Sequence, residues 1–297
     1  MPASVVVVGS ANLDLVAQVE HLGGPGETIT ATNYFEAPGG KGLNQAVAAA
    51  RLGAAVAFIG VVGKDAAGTT LTDVMRGDGI DTRCVAVGSL PTGRALISVA
   101  GNGENSIVVV PGANSEVATK HITIHGGVIA AAQVVLAQLE VPQAAIREAF
   151  AVARATGTTT VLNPAPAAPI DPELLALTDI LIPNEHEAAA LGGVDVLRRS
   201  GVQALVITEG AAGARLIDRT GDHRVEPFFV HPIDTVAAGD AFCGGLCARL
   251  AAGDTLVEAL RWASATGALA TTKVGAVPSL PLLAEVVALM DARSQQG

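Results

Sequence analysis

Apolar residues form two kinds of pattern along the chain, continuous runs and alternating segments. Val5–Val8 is a continuous β-branched run that ends at Gly9, which is typical of a strand buried on both faces of a sheet. From residue 134 onward, similar runs alternate with helical segments, and this order predicts βαβ units in a mostly parallel sheet. These later runs are 134–139, 159–162, 180–182 and 205–208.

Alternating segments indicate strands with one exposed face. Residues 28–35 alternate in this way and predict an antiparallel strand. Residues 95–100 and 106–110 have the same alternation, and the glycine-containing segment 101–105 between them predicts a hairpin. A further hairpin is predicted within residues 214–230, around the turn that contains Gly221.

Composition supports a single α/β domain over residues 1–297. Half of the residues are apolar but only 3% are aromatic, so the interior consists mainly of Ala, Val, Leu and Ile. Such side chains suit helices that cover both faces of a sheet. We therefore expect a mostly parallel central sheet, helices on both faces and a smaller second sheet.

Charge and cysteine content exclude several classes of protein. The net charge of -10 argues against a nucleic-acid partner. No apolar run is long enough to span a bilayer, and no basic segment precedes the first strand, so we expect a soluble cytoplasmic protein without a membrane partner. Cys84, Cys243 and Cys247 fit neither a disulfide framework nor a metal-ligand spacing, and we interpret them as small core residues.

The most informative stretch for chemistry is residues 234–245, a turn of small residues that leads into a predicted helix. Ala237, Ala238 and Gly239 barely shield the backbone, so their N–H groups and that of Asp240 can converge on an anion at the helix N-terminus. The carboxylate of Asp240 can take a proton from a hydroxyl, which makes it the candidate base. Taken alone, the same residues also fit a turn glycine followed by a helix N-cap.

Polar residues follow the predicted strands. Because strand carboxyl ends meet in one crevice of an open α/β sheet, Asn12, Asp14 and Glu140 are candidate ligand contacts, although Asn12 and Asp14 alone fit a turn equally well. Asn184 and Glu187 lie one helical turn apart and can face one Mg²⁺ ion through water. The same pair fits an N-cap and a first-turn glutamate.

The glycine-rich segment Gly39–Gly42 precedes a predicted alanine-rich helix. It is not a P-loop, because the required G-x-x-x-x-G-K-[ST] spacing is absent: Lys41 is followed by Gly42 and then Leu43. Its glycines allow the backbone to approach a small ligand, and Asn44 can both donate to and accept from hydroxyls.

Three motifs, in this order and spacing, resemble the ribokinase-like carbohydrate kinases. They are residues 39–45, 184–187 and 234–245, and the resemblance extends from Val5 to about Leu283. It implies an ATP-dependent kinase that phosphorylates the 5-hydroxyl of D-ribose to ribose 5-phosphate, with Mg²⁺ and K⁺ as cofactors. It also implies that segments near residues 13–38 and 92–112 form a β lid, which covers the sugar and pairs with a second subunit in a homodimer.

The resemblance also implies a set of site residues. Contacts to the sugar are implied for Asn12, Asp14, Gly40, Lys41, Asn44, Glu140 and Asp240. Contacts to the nucleotide are implied for Asn184, Thr208, Gly210, Gly213 and Gly239. A K⁺ site is implied at Asp234, the carbonyl of Val236, Ala270, Gly275 and Ser279.

Two alternatives stay open at the level of the sequence. The first is another kinase of the same superfamily that acts on deoxyribose, fructose or a nucleoside. The second is a catalytically silent sugar-binding protein, since fold does not determine function, although Asp240 and the glycine-containing turn argue against it. The chain also departs from the family between Glu187 and Val206, where it is shorter by about ten residues. We expect the missing helix to affect the nucleotide side.

Overall fold

The computed structural model describes residues 4–294, and the bounds below refer to that range. The strands are β1 Val5–Val8, β2 Asn12–Val19, β3 Asn33–Gly39, β4 Val56–Val62, β5 Val85–Val87, β6 Gly93–Ala100, β7 Asn105–Val110, β8 Val134–Gln138, β9 Thr159–Asn163, β10 Ile180–Leu181, β11 Ala204–Thr208, β12 Ala214–Asp218 and β13 Gly221–Val225. The helices are α1 Lys41–Arg51, α2 Ala66–Gly77, α3 Thr119–Ile124, α4 Gly126–Ala130, α5 Gln143–Thr156, α6 Pro172–Ala176, α7 Glu185–Ala190, α8 Val194–Arg198, α9 Ala238–Ala251, α10 Leu256–Ala270 and α11 Leu283–Ser294.

The larger sheet within residues 4–294 has nine strands, in the order β13-β12-β11-β10-β9-β8-β1-β4-β5. Strands β11 to β5 in this order pair in parallel, and β12 and β13 add an antiparallel hairpin at one edge. The parallel sheet predicted from the apolar runs is therefore confirmed. Its strand carboxyl ends form one edge, where ligands bind in folds of this kind.

Apolar side chains of β1 serve both faces of this sheet, because successive residues of a strand point in opposite directions. Val5 and Val7 belong to a core that includes residues of α1, α9 and α10, whereas Val6 and Val8 pack with residues of α5 on the other face. Cys84, Cys243 and Cys247 are buried free thiols, as predicted.

Helices α1 and α9 approach each other closely because of a glycine. A Cβ atom at Gly244 of α9 would lie 2.5 Å from the Gln45 carbonyl oxygen of α1. Only a residue without a side chain allows this separation. The contact brings the N-terminal turns of both helices to the same edge of the large sheet.

The smaller sheet has the order β3-β2-β6-β7 among the described residues. The predicted hairpin is confirmed as β6 and β7, and the sheet spans the two segments predicted for the lid. The strand predicted at 28–35 is wrong in its bounds, since β3 begins at Asn33 and ends at Gly39. The reason is tertiary: β3 is defined by its pairing with β2, which extends from Asn12↔Gly39 to Gln18↔Asn33 and leaves residues 28–32 outside the strand.

The hairpin predicted within residues 214–230 is confirmed but shorter, because β13 ends at Val225. Residues beyond it leave the sheet and line a cavity described below. No helix in the described part of the chain is both long enough and apolar enough to cross a membrane.

Candidate active site

Several of the predicted site residues line a cavity of about 210 Å³ at the carboxyl edge of the large sheet, whereas the predicted sugar contacts Asn12, Asp14, Gly40, Asn44 and Glu140 are not among its lining residues. Ends of β9, β10 and β11 contribute one side, and the first turns of α1 and α9 contribute the other. The cavity lining includes Lys41, Asn184, Glu187, Thr208, Gly239 and Asp240. Residues far apart in sequence are thus brought together as expected from their positions after strands.

The turn before α9 contains an alanine in a left-handed conformation. Ala237 has φ of 59° and precedes the first helical residue, Ala238. Such a conformation costs roughly 1–2 kcal/mol for a residue with a side chain. Among the described residues, the N–H groups of Gly239 and Asp240 have no acceptor, whereas that of Ala238 donates to the Thr235 carbonyl at 3.3 Å. The turn therefore presents unpaired donors to the cavity.

Asp240 is not the N-cap of α9, so that alternative is wrong. The N-cap is Ala237, and Asp240 lies in the first helical turn with its side chain buried. Its two carboxylate oxygens accept hydrogen bonds from Asn44 Nδ2 at 2.9 Å and from Gln45 Nε2 at 2.8 Å. The buried Oδ1 of Asn44 has no partner among the described residues and can accept a hydrogen bond from a ligand hydroxyl.

Asp14 lies close enough to two other carboxylates to alter its protonation. Burial, together with repulsion from Glu140 and Asp240, raises the pKa of Asp14 to about 7. No hydrogen bond from the described residues reaches its carboxylate, which leaves both oxygens available to a ligand. Gly39 must lack a side chain here, because a Cβ atom would overlap the Asp14 carboxylate.

The cationic partner of these carboxylates is Lys41. Burial opposes the protonation of Lys41, but attraction by Asp240, Glu140 and Glu187 outweighs burial and raises the pKa of its ammonium group. Burial also raises the pKa of Glu187. The cavity therefore contains a protonated lysine among carboxylates, which suits a ligand with both hydroxyl and phosphate groups.

Three of the predicted sugar contacts, Glu140, Asn12 and Gly40, also make hydrogen bonds or close backbone contacts with the surrounding loops. Glu140 Oε2 accepts hydrogen bonds from Ser10 Oγ at 2.5 Å and from the Lys41 N–H at 3.1 Å. Asn12 Oδ1 accepts from Asn114 Nδ2 at 2.7 Å. At Gly40, φ is 91° and a Cβ atom would lie 2.7 Å from the Asn12 nitrogen. Gly40 thus allows this segment to approach the backbone at Asn12 closely.

Asn184 and Glu187 form a capping box at the start of α7. Asn184 Oδ1 accepts from the Glu187 N–H at 2.7 Å, and Glu187 Oε2 accepts from the Asn184 N–H at 2.8 Å. The capping interpretation is therefore confirmed. It leaves Glu187 Oε1 free of hydrogen bonds from the described residues, so a role toward Mg²⁺ stays a prediction.

The residues predicted to bind K⁺ lie where the turn before α9 contacts the chain after α10. Asp234 Oδ1 accepts from the Val236 N–H at 3.0 Å, and Asp234 Oδ2 accepts from the Gly275 N–H at 2.9 Å. The carbonyl groups of Val236 and Ala270 accept no hydrogen bond from the described residues. Ser279 is buried, and its hydroxyl donates to the Ala276 carbonyl at 2.8 Å.

A second cavity, of about 320 Å³, adjoins the first and is mostly apolar. Thr208, Gly210, Gly213 and Gly239, which were predicted to contact nucleotide, are among its lining residues. The sequence interpretation missed the remainder of its lining, which includes Pro227, Phe228, Phe229, Ser264, Gly267, Ala268 and Thr271. The signal for the last four was their helical spacing, which places Ser264, Gly267 and Ala268 on one face of α10 and Thr271 directly after its end.

Ser264 is the polar group of interest in the second cavity. Its hydroxyl is buried and has no partner among the described residues. Residues 188–207 do not line this cavity, and an effect of the short segment after Glu187 on the nucleotide side stays a prediction. That segment instead forms the short helices α7 and α8, whose Ala188 and Leu197 pack in the core beside α5.

Other polar residues that the sequence interpretation missed do not line the cavity but form hydrogen bonds to site residues or to one another. Their positions could not be assigned from local patterns, because amides and hydroxyls in strands and helix interiors carry no motif. They are Ser10, Gln45, Asn114 and Gln138, whereas Asn163, which follows the apolar run 159–162, lines the cavity itself.

Comparison with known proteins identifies relatives across nearly the whole chain. The model of the pfkB family of carbohydrate kinases matches residues 2–283. A ribokinase from Haemophilus influenzae is 41% identical, over 98% of this chain and 99% of that protein. The crystal structure of ribokinase from Thermotoga maritima is 32% identical, with a TM-score of 0.91 over 97% of this chain and 99% of that one. The structure of Arabidopsis thaliana ribokinase complexed with ribose and ATP is 30% identical, with a TM-score of 0.91 over 98% and 99% of the two chains.

Proposed function

Because the chain belongs to the pfkB family of carbohydrate kinases, we propose that it transfers the γ-phosphoryl group of ATP to the 5-hydroxyl of D-ribose. The chain is a phosphotransferase that acts on a sugar hydroxyl. The observation that carries the assignment of roles is the Asp240 carboxylate beside the unpaired N–H groups of Gly239 and Asp240. A base and an anion cradle in one turn are what hydroxyl phosphorylation requires.

Asp14, Asn44 and Glu140 hold the sugar in this proposal. The free oxygens of Asp14 and the unpartnered Oδ1 of Asn44 accept from its hydroxyls, which directs the 5-hydroxyl toward Asp240. The 5-oxygen forms a bond to the γ-phosphorus, the bond from that phosphorus to the bridging oxygen breaks, and ADP leaves. The hydroxyl proton passes to Asp240. Proton transfer is late in such reactions, so a carboxylate is a sufficient base.

Charge on the transferring group is balanced by Lys41 and by the α9 N-terminus. The ammonium group of Lys41 and the N–H groups of Gly239 and Asp240 face the same cavity as the base. In this proposal the adjoining apolar cavity holds the adenine ring, and the Ser264 hydroxyl makes a polar contact to that ring. Thr208 and Gly239 line both cavities, where the phosphate chain would pass, and Gly210 and Gly213 line the second cavity.

A panel of sugars and nucleosides with ATP, Mg²⁺ and K⁺ tests the assignment. The expected order of kcat/KM places D-ribose ahead of 2-deoxyribose, fructose and adenosine, because a buried acceptor left without its hydroxyl is costly. If kcat/KM for fructose or a nucleoside exceeds that for D-ribose by about tenfold, the assignment of ribose as the substrate is wrong, while the kinase assignment stands. Absence of any phosphorylated product would favour the silent-binder alternative.

Mg²⁺ fits beside Asn184 and Glu187, since Glu187 Oε1 is a free carboxylate oxygen at the cavity. When bound, the ion supplies charge that neutralises the phosphate oxygens of ATP. Glu187 would hold it through water, while the other oxygen of the same carboxylate keeps capping α7.

Glu187→Gln is expected to raise the Mg²⁺ concentration that gives half-maximal rate, with little change in sugar binding. The amide retains a capping acceptor but removes the negative charge that attracts the ion. Initial rates over a Mg²⁺ titration measure the effect. Glu185→Gln is the matched control, because Glu185 is an exposed residue of the same helix. An unchanged titration for Glu187→Gln would refute the role.

K⁺ fits the segment formed by Asp234, Val236, Ala270, Gly275 and Ser279. The carbonyl oxygens of Val236 and Ala270 accept no hydrogen bond from the described residues, and together with the Asp234 carboxylate they are oxygen donors of the kind that a monovalent cation takes. The ion would stabilise the strained turn at Ala237 without contact to the substrate.

Replacing K⁺ with Na⁺ or Li⁺ at constant ionic strength is expected to lower kcat, because ion size and the number of carbonyl ligands discriminate between these ions. Steady-state rates in the three chlorides measure the effect. In Asp234→Asn, the difference between the salts should shrink, since the charged ligand is lost. Equal rates in all three salts for the wild-type chain would remove K⁺ from the proposal.

A homodimer through the β lid is part of the proposal. Ile107 and Val108 lie on edge strand β7 and are 54% and 57% exposed, and such an apolar edge requires cover. Sedimentation of the wild-type chain and of Val108→Glu would separate a lid dimer from a monomer, since only the wild type should dimerise.

A cytoplasmic location stays a prediction, supported by the need for ATP.

A further inference from the structure

Three buried amide side chains connect the large sheet to the Asp240 carboxylate. Gln45 Nε2 donates to Asp240 Oδ1 at 2.8 Å and to Asn163 Oδ1 at 3.0 Å. Gln45 Oε1 accepts from Gln138 Nε2 at 2.5 Å. Gln45 and Gln138 are both 0% exposed, so water does not compete for these hydrogen bonds.

The orientation of each amide follows from a backbone carbonyl that can only accept. Asn163 Nδ2 donates to the Ile182 carbonyl at 2.8 Å, so Asn163 must present its oxygen to Gln45. Gln45 must therefore direct its NH₂ group toward Asn163 and Asp240. Gln138 reinforces this choice by donating to the oxygen of Gln45. A reversed Gln45 amide would place oxygen against oxygen at Asn163.

The two donors to Asp240 differ in how firmly they are held. Asn44 has an unpartnered Oδ1 in the described structure, so its amide can turn toward a ligand. Gln45 uses both of its N–H groups and its oxygen, so its amide is fixed. Gln45 is not among the residues that line the substrate cavity, and it contacts two residues that do, Asp240 and Asn163, of which Asp240 carries the carboxylate.

We propose that Gln45 is a positioning residue for phosphoryl transfer, which holds Asp240 Oδ1 as an acceptor and thereby directs Oδ2 toward the sugar hydroxyl. This role rests on the proposed function, in which Asp240 is the base. The Gln138 and Asn163 amides orient Gln45 and have no contact with the carboxylate themselves. Loss of Gln45 should therefore affect the step that uses Asp240 and leave sugar binding nearly intact.

Gln45→Met is the direct test, because Met is similar in length and lacks the donors. Its kcat is expected to fall by about 10- to 100-fold, while KM for ribose changes by less than about threefold. In the Asp240→Asn background, the same change should alter kcat by less than about twofold, since no base remains to be oriented. A purely structural role would lower kcat in both backgrounds.

Two further variants control for damage to the core. Thr178→Val removes a buried hydroxyl that bonds only to the Leu174 carbonyl, remote from Asp240, and its kcat is expected to match the wild type. Gln138→Met leaves the bonds of Gln45 to Asp240 and Asn163 but removes the donor to its oxygen. Its kcat is expected to fall by about three- to tenfold. Thermal unfolding of each variant confirms that it is folded.

The outcomes separate this inference from the proposed function. If Asp240→Asn keeps wild-type kcat, Asp240 is not the base and both fail. If Asp240→Asn is impaired while Gln45→Met is as active as wild type, only the role of Gln45 is overturned. Equal losses for Gln45→Met in both backgrounds also overturn it. Should Gln45→Met not fold, an unchanged kcat in Gln138→Met overturns the inference, and a selective loss of kcat supports it.

Discussion

Replacing Asp240 with Asn is expected to lower kcat by about 10²- to 10⁴-fold while ribose and ATP still bind. The amide cannot accept the proton of the sugar hydroxyl, but it keeps the size of the carboxyl group. Gln45 is fixed as a donor, so the oxygen of the new amide must face it. The new NH₂ group then faces Asn44, whose amide can turn to accept, because its oxygen has no other partner in the described residues. The fold should survive.

Turnover and ribose binding, measured on the same preparation, check this expectation. Asp254→Asn is the matched control, since it removes a carboxylate that pairs with Arg249 at the other end of α9. It should retain wild-type kcat. A turnover for Asp240→Asn within about twofold of wild type would falsify the assignment of the base.

The second large effect is expected at Asp14. Asp14→Asn should lower kcat/KM for D-ribose by about 10²- to 10⁴-fold, because an amide replaces an ionised acceptor in a buried site. The loss for 2-deoxyribose should be smaller if Asp14 accepts from the hydroxyl that this sugar lacks. Equal losses of kcat/KM for the two sugars would mean that Asp14 does not accept from the hydroxyl that 2-deoxyribose lacks.

Asp14 also predicts a pH dependence. Its pKa of about 7 means that the carboxylate, the stronger acceptor, is lost as pH falls below neutrality. In the wild-type chain, kcat/KM for ribose is therefore expected to fall toward tenfold per pH unit below about pH 7. Asp14→Asn should lack this limb. A wild-type profile that is flat from pH 8 to pH 5.5 would contradict the role of the Asp14 carboxylate.

The raised pKa of Asp14 also makes stability depend on pH, in the direction opposite to activity. The pKa of Asp14 is higher in the folded state than its ordinary value of 3.8, so the folded state binds the proton more tightly than the unfolded state. Between about pH 4 and pH 7 the free energy of unfolding therefore falls as pH rises. Asp14→Asn should raise Tm at pH 8, and the gain should disappear near pH 4. A variant that loses activity but gains stability cannot be inactive through misfolding.

Much of the architecture could be predicted because it depends on local patterns. The β-branched run at Val5–Val8 and the later apolar runs specify buried strands through their period alone, and the structure has a parallel sheet there. The small residues before Asp240 specify a turn into a helix in the same local way. The hairpin of β6 and β7 followed from alternation and the glycines between the two strands.

Tertiary structure decided what depends on partners distant in the chain. Strand β3 begins at Asn33, where its pairing with Gln18 of β2 begins, so its own alternation could not locate it. The pKa of Asp14 depends on Glu140 and Asp240, which approach it only in the fold. Gln45 reaches Asn163 and Asp240 across 118 and 195 positions, respectively. No sequence window contains such a pair, because hydrogen-bond partners are chosen by distance and orientation in space.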